Sequence, residues 1–244
     1  MADPHLVVID DARALARAGA DVVAGVVNAD GPVTIVPATG ETPVGMYEEL
    51  AARRARGDLD TRDVSIVQLD EYLGLEPDDR RALFGWMKRT VLEPLAVGAE
   101  RVARLPTEGD VDAACAIFER ELDASGGIDL VILGLGTNGH LGFNEPPSDA
   151  SSVTRTVDLT ADTIAANARY WGSERDVPTR AVTLGLRPLL EARHIMLLVA
   201  GASKHTIVRR ALEGPVGEDV PASFVREARG SVTVLVDRAA WEGE

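Results

Sequence analysis

Short apolar runs rich in β-branched residues alternate with longer segments of helical periodicity along the whole of this 244-residue chain. The runs are Leu6–Ile9, Val33–Val36, Val64–Leu69, Leu130–Leu135, Ala181–Leu184, Ile195–Val199 and Val232–Val236. Several are apolar at consecutive positions. A strand that buries one face alternates apolar with polar, so consecutive apolar residues require cover on both faces. Between the runs lie the helical stretches Ala12–Val27, Pro43–Arg56, Asp79–Leu95, Val111–Leu122, Ala161–Tyr170 and Lys204–Leu212. In the second of these, Val44, Tyr47, Leu50 and Ala51 recur at helical spacing, while Glu48, Glu49 and Arg53 face elsewhere. This alternation predicts an α/β fold: a doubly wound, mostly parallel sheet flanked by helices, in a modified Rossmann-like arrangement. No repeat, low-complexity tract or Gly/Ser/Pro linker interrupts it, so residues 1–244 are expected to form a single domain.

Composition narrows the classes of function. With 45% apolar and 26% charged residues the chain reads as globular, and its length supplies a core without metal or disulfide. Cys115 is the lone cysteine, so an internal disulfide and a cysteine-based zinc site are both excluded. The four histidines, His5, His140, His194 and His205, show no metal-ligand spacing. Acidic residues outnumber basic ones by 39 to 25, for a net charge of −14, which argues against nucleic acid as a partner. An anionic small molecule then needs a locally positive pocket. The start, Met1 to His5, lacks a basic signal-peptide region, and the longest apolar stretch, Ile195 to Ala202, is too short for a membrane span. A cytoplasmic protein without membrane attachment is expected.

Three segments carry chemistry. Val36-Pro37-Ala38-Thr39-Gly40-Glu41-Thr42-Pro43 joins a strand to a helix. Gly40 permits a tight turn, Thr42 is a natural N-cap and Pro43 suits the first helical position. Free N–H groups at a helix start beside threonine hydroxyls form an anion site, although a well-capped turn would look the same. Asp70-Glu71-Tyr72 follows the run Val64–Leu69, where the ligand crevice of an open α/β sheet lies. An acid there can act as a general base or bind a sugar hydroxyl, the plainer alternative being solvated loop residues. The third segment runs from Gly134 to Pro146, overlapping the start of the long irregular stretch Gly136–Thr156, and sets Asn138, His140, Asn144 and Glu145 among glycines. A histidine with a nearby carboxylate can be held in one tautomer and shuttle protons. The glycine spacing is wrong for a dinucleotide fingerprint.

Leu69-Asp70-Glu71-Tyr72-Leu73-Gly74-Leu75, Gly136-Thr137-Asn138-Gly139-His140 and Phe143-Asn144-Glu145-Pro146 together resemble the glucosamine-6-phosphate deaminase family. Thr39-Gly40-Glu41-Thr42-Pro43 is similar to that family's phosphate loop. Ser151-Ser152 through Arg155-Thr156, Ala166-Asn167-Ala168-Arg169-Tyr170 and Gly201-Ala202-Ser203-Lys204 continue the match in order. The resemblance implies an aldose–ketose isomerisation of an aminosugar phosphate with loss of ammonia, without metal or organic cofactor. It implies that Asp70 moves the C2 proton and that His140 opens the pyranose ring. It makes Glu145 and Asn138 the groups that orient His140, and Thr39, Gly40, Thr42, Arg169 and Lys204 the phosphate ligands. It admits a homo-oligomer.

The chain departs from the family at several points. Glu41 stands where a small residue is usual, and Arg81-Ala82-Leu83-Phe84 replaces a common Ser-Tyr pair. Asn138 stands where some members carry aspartate. Basic residues of the effector site in some hexameric members are missing around Val157-Asp158-Leu159, so activation by an N-acetylated sugar phosphate is not expected. A carboxylate near a helix N-terminus is favourable by about 0.3–1 kcal/mol, so Glu41 is expected to point to solvent. Pointed inward at about 4 Å, it would oppose each phosphate charge by roughly 4 kcal/mol before screening. Three other readings stand beside this one. A 6-phosphogluconolactonase would show Asp-Glu-Arg in place of Asp70-Glu71-Tyr72 and no Phe-Asn-Glu-Pro. A sugar-phosphate sensor domain would follow a DNA-binding segment, for which a first strand at Leu6 leaves no room. A phosphosugar isomerase that releases no ammonia stays open.

Overall fold

A computed structural model describes residues 3–29, 31–76 and 79–243; Met1 and Ala2 of the chain start lie outside the described residues. The elements, in chain order, are β1 (His5–Ile9), α1 (Ala12–Val27), β2 (Val33–Val36), α2 (Val44–Arg56), β3 (Val64–Val67) and β4 (Asp70–Tyr72). Next come α3 (Leu83–Met87), β5 (Val102–Ala103), α4 (Val111–Ala124), β6 (Leu130–Gly134), β7 (Arg155–Asp158) and α5 (Ala161–Trp171). The chain ends with β8 (Arg180–Thr183), α6 (Leu186–Leu190), β9 (His194–Val199), α7 (His205–Glu213), β10 (Ser231–Asp237) and α8 (Arg238–Glu242).

Seven strands form one parallel sheet in the order β1-β10-β9-β6-β2-β3-β5. The consecutive apolar runs have the meaning expected of them. Along β6, Leu130 and Ile132 pack on the side of α1 and α2, while Val131 and Leu133 pack on the side of α4 and α7. Along β9, Met196 and Leu198 join the first side and Ile195, Leu197 and Val199 the second. Both central strands are buried on both faces, which is what sets this sheet within two helical layers.

Three expectations are corrected. Ala181–Leu184 does not join the main sheet: β8 pairs antiparallel with β4 and β7 in a second, three-stranded sheet. The run Val64–Leu69 is not one strand either. It ends at Val67, and the buried side chain of Gln68 turns the corner by donating to Asp70 O (3.0 Å) and Glu71 Oε2 (2.9 Å). The helix expected from Asp79 begins only at Leu83 and passes into a π-helical turn at Lys88–Leu92. Its start is set from outside the segment, because the Glu71 carboxylate accepts the N–H groups of Leu83 (2.9 Å) and Phe84 (2.8 Å).

The strand order places the crevice. β2 connects onward to β3 on one side, and β6 connects onward to β9 on the other, so the order reverses between the paired strands β2 and β6. Ligands of open α/β sheets bind at such a reversal, outside the carboxyl ends of the strands. Among the described residues, no helix is long and apolar enough to cross a membrane.

Candidate active site

Four neighbouring strands deliver all the candidate residues but Arg169, which lies on α5. β3 leads to Asp70, β2 to the Thr39–Thr42 loop, β6 to the loop holding Asn138, His140 and Glu145, and β9 to Lys204. The reversal point thus gathers segments scattered over more than half the chain.

Asp70 and Glu71 are adjacent but face opposite sides of β4, as strand pleating requires. Neither is a solvated loop residue: they are 5% and 4% exposed. Glu71 is fully occupied. Its Oε1 accepts from the N–H groups of Tyr72 and Leu83, both at 2.9 Å, and its Oε2 from Phe84 N–H and the Gln68 amide. It therefore ties the corner to the start of α3 and has no oxygen left for substrate. Among the described residues, Asp70 Oδ1 is buried without a hydrogen-bond partner. Burial, and next the charge of Glu71, push the Asp70 carboxyl up to about 7. A carboxyl poised near neutrality can take and return a proton at physiological pH.

The loop after β6 holds its histidine by backbone geometry. Gly136 N–H donates to His140 O and Gly139 N–H to Gly136 O, both at 3.1 Å, while Gly139 has a φ of 91°. The His140 ring lies over Gly136 so closely that a Cβ there would overlap ring atoms. Gly136→Ala is therefore expected to swing the imidazole out of place. Activity should fall by as much as about 10²-fold, the scale of a misplaced catalytic group, while circular dichroism stays unchanged. A fully active Gly136→Ala enzyme would refute this placement.

Glu145 organises the histidine. Its Oε2 accepts from Asn138 Nδ2 (2.6 Å), and its Oε1 lies 3.1 Å from His140 Nδ1, close enough for an ion pair but off the line of a hydrogen bond. Oε1 also accepts from the Thr163 hydroxyl of α5. Burial disfavours the charged carboxylate, but His140, Thr163 and Asn138 together outweigh it and hold Glu145 below the usual carboxylate range. Asn138 Oδ1 also accepts the His140 N–H at 3.2 Å. The Asp70 and His140 segments are joined through β8: Thr183 is paired with Asp70 on β4, and its hydroxyl accepts the Phe143 N–H at 3.2 Å.

The third group is positive. Lys204 Nζ donates to Leu135 O (2.7 Å) at the end of β6, and burial, then the nearby charge of Arg169, hold the amine below its usual range. Two cations that act on one another in this way would each be favoured by an anion between them. Thr42 is not the side-chain N-cap expected of it: Pro43 occupies that position, without a side-chain cap bond. Gly40 has a φ of 97°, and among the described residues no acceptor takes the N–H groups of Thr39, Gly40, Glu41 or Thr42. Donors freed in this way suit an anion better than a sealed cap would.

Glu41 is exposed as expected, yet not idle. Its carboxylate lies 3.5 Å from Arg169, with the two side chains 68% and 62% exposed. Exposed pairs contribute about 1 kcal/mol or less, so Glu41 competes only weakly with a phosphate at Arg169. Glu41→Ser is expected to lower KM for a phosphosugar by a few-fold at most, less so at high salt. A much larger drop would mean that the carboxylate occupies the anion site.

Every candidate residue named from the sequence thus lies in one of these three groups, and the Arg169–Glu41 contact ties α5 to the Thr39–Thr42 loop. Thr163, Thr183 and the structural Glu71 were not legible as site residues, since their roles depend on partners in distant segments. Among the described residues, no three His, Cys, Asp or Glu side chains gather to hold a metal ion.

Known proteins are similar to this chain in sequence and in fold. Residues 10–234 match the sequence profile of the family described as glucosamine-6-phosphate isomerases/6-phosphogluconolactonase. The chain is 44% identical to the glucosamine-6-phosphate deaminase of Rhodopirellula baltica over 205 residues, 83% of this chain and 81% of that one. It is 40% identical to that of Streptomyces coelicolor over 238 residues, 97% and 91% of the two chains. A solved monomeric glucosamine-6-phosphate deaminase superposes with a TM-score of 0.93 at 34% identity, covering 98% of this chain and all of that one. The 6-phosphogluconolactonase of Trypanosoma brucei, at 20% identity and a TM-score of 0.78 over 98% of each chain, shares the fold. With the profile spanning nearly all of the strands and the site between them, the chain belongs to the glucosamine-6-phosphate isomerase/6-phosphogluconolactonase family.

Proposed function

We propose that this protein converts a 2-amino-2-deoxyhexose 6-phosphate, glucosamine 6-phosphate first among them, and water into fructose 6-phosphate and ammonia. The observation that carries the reading is Asp70: a buried carboxyl with an unpartnered oxygen, held near neutrality beyond a strand that neighbours those leading to His140 and Lys204 at the reversal of strand order. Names of relatives over 97% of the chain support the same substrate class.

The substrate phosphate sits against the free N–H groups of the Thr39-Gly40-Thr42 loop, with Arg169 and Lys204 closing on it. With Nδ1 of His140 turned to Glu145, Nε2 faces the sugar. It takes the proton from O1 and returns it to the ring oxygen, leaving the open-chain aldehyde. Glu145 and Asn138 keep the imidazole in the orientation that this exchange needs. Asp70 then removes the C2 proton while the substrate ammonium gives up a proton to O1, forming an enolamine; Asp70 delivers its proton to C1, which leaves an iminium at C2. Water adds to C2, and ammonia departs to give the ketose. Deprotonation at C2 requires a base of neutral pKa in a water-poor pocket, and burial of Asp70 supplies both. No metal or organic cofactor takes part in this scheme, and all of its groups belong to one domain.

The test is to incubate purified protein with phosphorylated and unphosphorylated 2-amino sugars and with 6-phosphogluconolactone, measuring ammonia, ketose and lactone loss. Equal yields of ammonia and ketose are expected from an aminosugar phosphate alone. Ketose without ammonia would make it a plain isomerase, and lactone loss without either a lactonase.

A further inference from the structure

Thr163 lies in the first turn of α5, capped by Thr160, and is only 4% exposed. A threonine in a first turn commonly bonds to its own backbone, but this hydroxyl donates to Glu145 Oε1, eighteen residues away. That oxygen is the one 3.1 Å from His140 Nδ1. The other end of α5 carries Arg169, six residues on and so roughly 9 Å along the axis. One rigid helix therefore touches both the histidine's carboxylate and the cation cluster. We infer that Thr163 is a positioning residue: its hydroxyl sets where Glu145 Oε1 stands beside the imidazole, so that seating of α5 governs ring opening. This rests on the reading of His140 as the ring-opening group.

The physical case is the geometry of Glu145. The carboxylate is an acceptor only, so its two hydrogen-bonded neighbours, Asn138 and Thr163, must donate, and each fixes the direction of one oxygen. Asn138 fixes Oε2; without Thr163, Oε1 would be held by His140 alone, along a poorly aligned contact. Among the described residues, His140 is the titratable side chain facing Glu145, with Thr163 and Asn138 as neutral donors. Loss of the hydroxyl withdraws one of the interactions that favour the ionised carboxylate, so Glu145 must then take up a proton at higher pH.

The test compares wild type with Thr163→Val and Thr163→Ser in two readouts. The first is kcat and KM against pH with an aminosugar phosphate. The second is titration of Glu145 by carboxyl carbon NMR in the intact protein, which needs no turnover. In Thr163→Val, kcat is expected to fall about ten-fold, the scale of one hydrogen bond to a charged group, with KM little changed. Its acid limb and the Glu145 titration should both move to higher pH, and Ser should restore both. If Val disturbs folding, Thr163→Ala gives the same reading. Unchanged Glu145 titration in a folded Val or Ala variant overturns the inference, as does a defect confined to KM. An inactive wild type would overturn the proposed reaction instead, while the titration would still report on Thr163.

Discussion

Asp70→Asn is expected to abolish most turnover and, at the same time, to make the protein more stable at neutral pH. Removing a general base costs about 10²–10⁴-fold, and KM should stay near that of the wild type because Asp70 binds no part of the phosphate. The second effect follows from the raised carboxyl. Unfolded, Asp70 ionises at about 4. Folded, burial first and then the charge of Glu71 hold it at about 7. Between these values the native state binds more protons than the unfolded state, so this group's contribution to stability falls as pH rises from about 4 to about 7. Asparagine carries no such charge, so the variant should gain on the wild type across this window, by an amount on the order of a few kcal/mol. Thermal melts at pH 4, 6 and 8, alongside exchange of the substrate C2 proton with deuterated solvent, check both halves. C2 exchange at the wild-type rate in Asp70→Asn would remove this residue as the base. A melting difference that does not grow with pH would show that its carboxyl is already ionised well below neutrality. The trade is one that active sites make generally: a group kept uncomfortable in the folded state is the one ready to react.

His140→Ala and Glu145→Gln should each cost about 10²–10³-fold in kcat on a ring-closed substrate, and the double variant should lose little more than His140→Ala alone. In the proposed mechanism Glu145 acts through His140 Nδ1, 3.1 Å away, so once the imidazole is gone its charge would have nothing to orient. The amide in Glu145→Gln keeps one acceptor but brings a donor group towards either Asn138 Nδ2 or Thr163, so the variant tests charge and hydrogen-bond direction together. Both variants should regain much of their activity with an aminosugar phosphate analogue that is already open-chain. The full double-mutant cycle measures the coupling, and additive losses would mean that the two side chains act separately.

The two-layered parallel sheet was legible because its physics is local. A strand covered on both faces must be apolar at every position, and β6 and β9 write that requirement into consecutive residues. Helices α1, α2 and α4 were legible for a similar reason, each carrying a core-facing stripe at helical spacing. The second sheet was not. β4 and β7 are short and polar, and β4 becomes a strand only by pairing with β8, more than a hundred residues later. Propensity in so short a segment is weaker than the context that pairs it.

The candidate site divides along the same line. The identities of Asp70, His140 and Glu145 could be singled out from strand ends, glycine density and resemblance, because loops after parallel strands must open into the crevice. Their states could not. That Asp70 is poised near neutrality while Glu71 is consumed in capping α3 depends on which face of β4 each occupies, and on a helix start twelve residues away. That Glu41 spends its charge on Arg169, and that Thr163 reaches Glu145, depends on how α5 is seated. The sequence by itself determined which residues are apolar, and with them the layers and the strand ends from which chemistry can be offered. Only the tertiary structure decided which polar groups meet. Apolar burial is set by the periodicity of neighbouring residues, whereas a hydrogen bond or a shifted pKa needs a particular partner that the folded chain alone brings within reach.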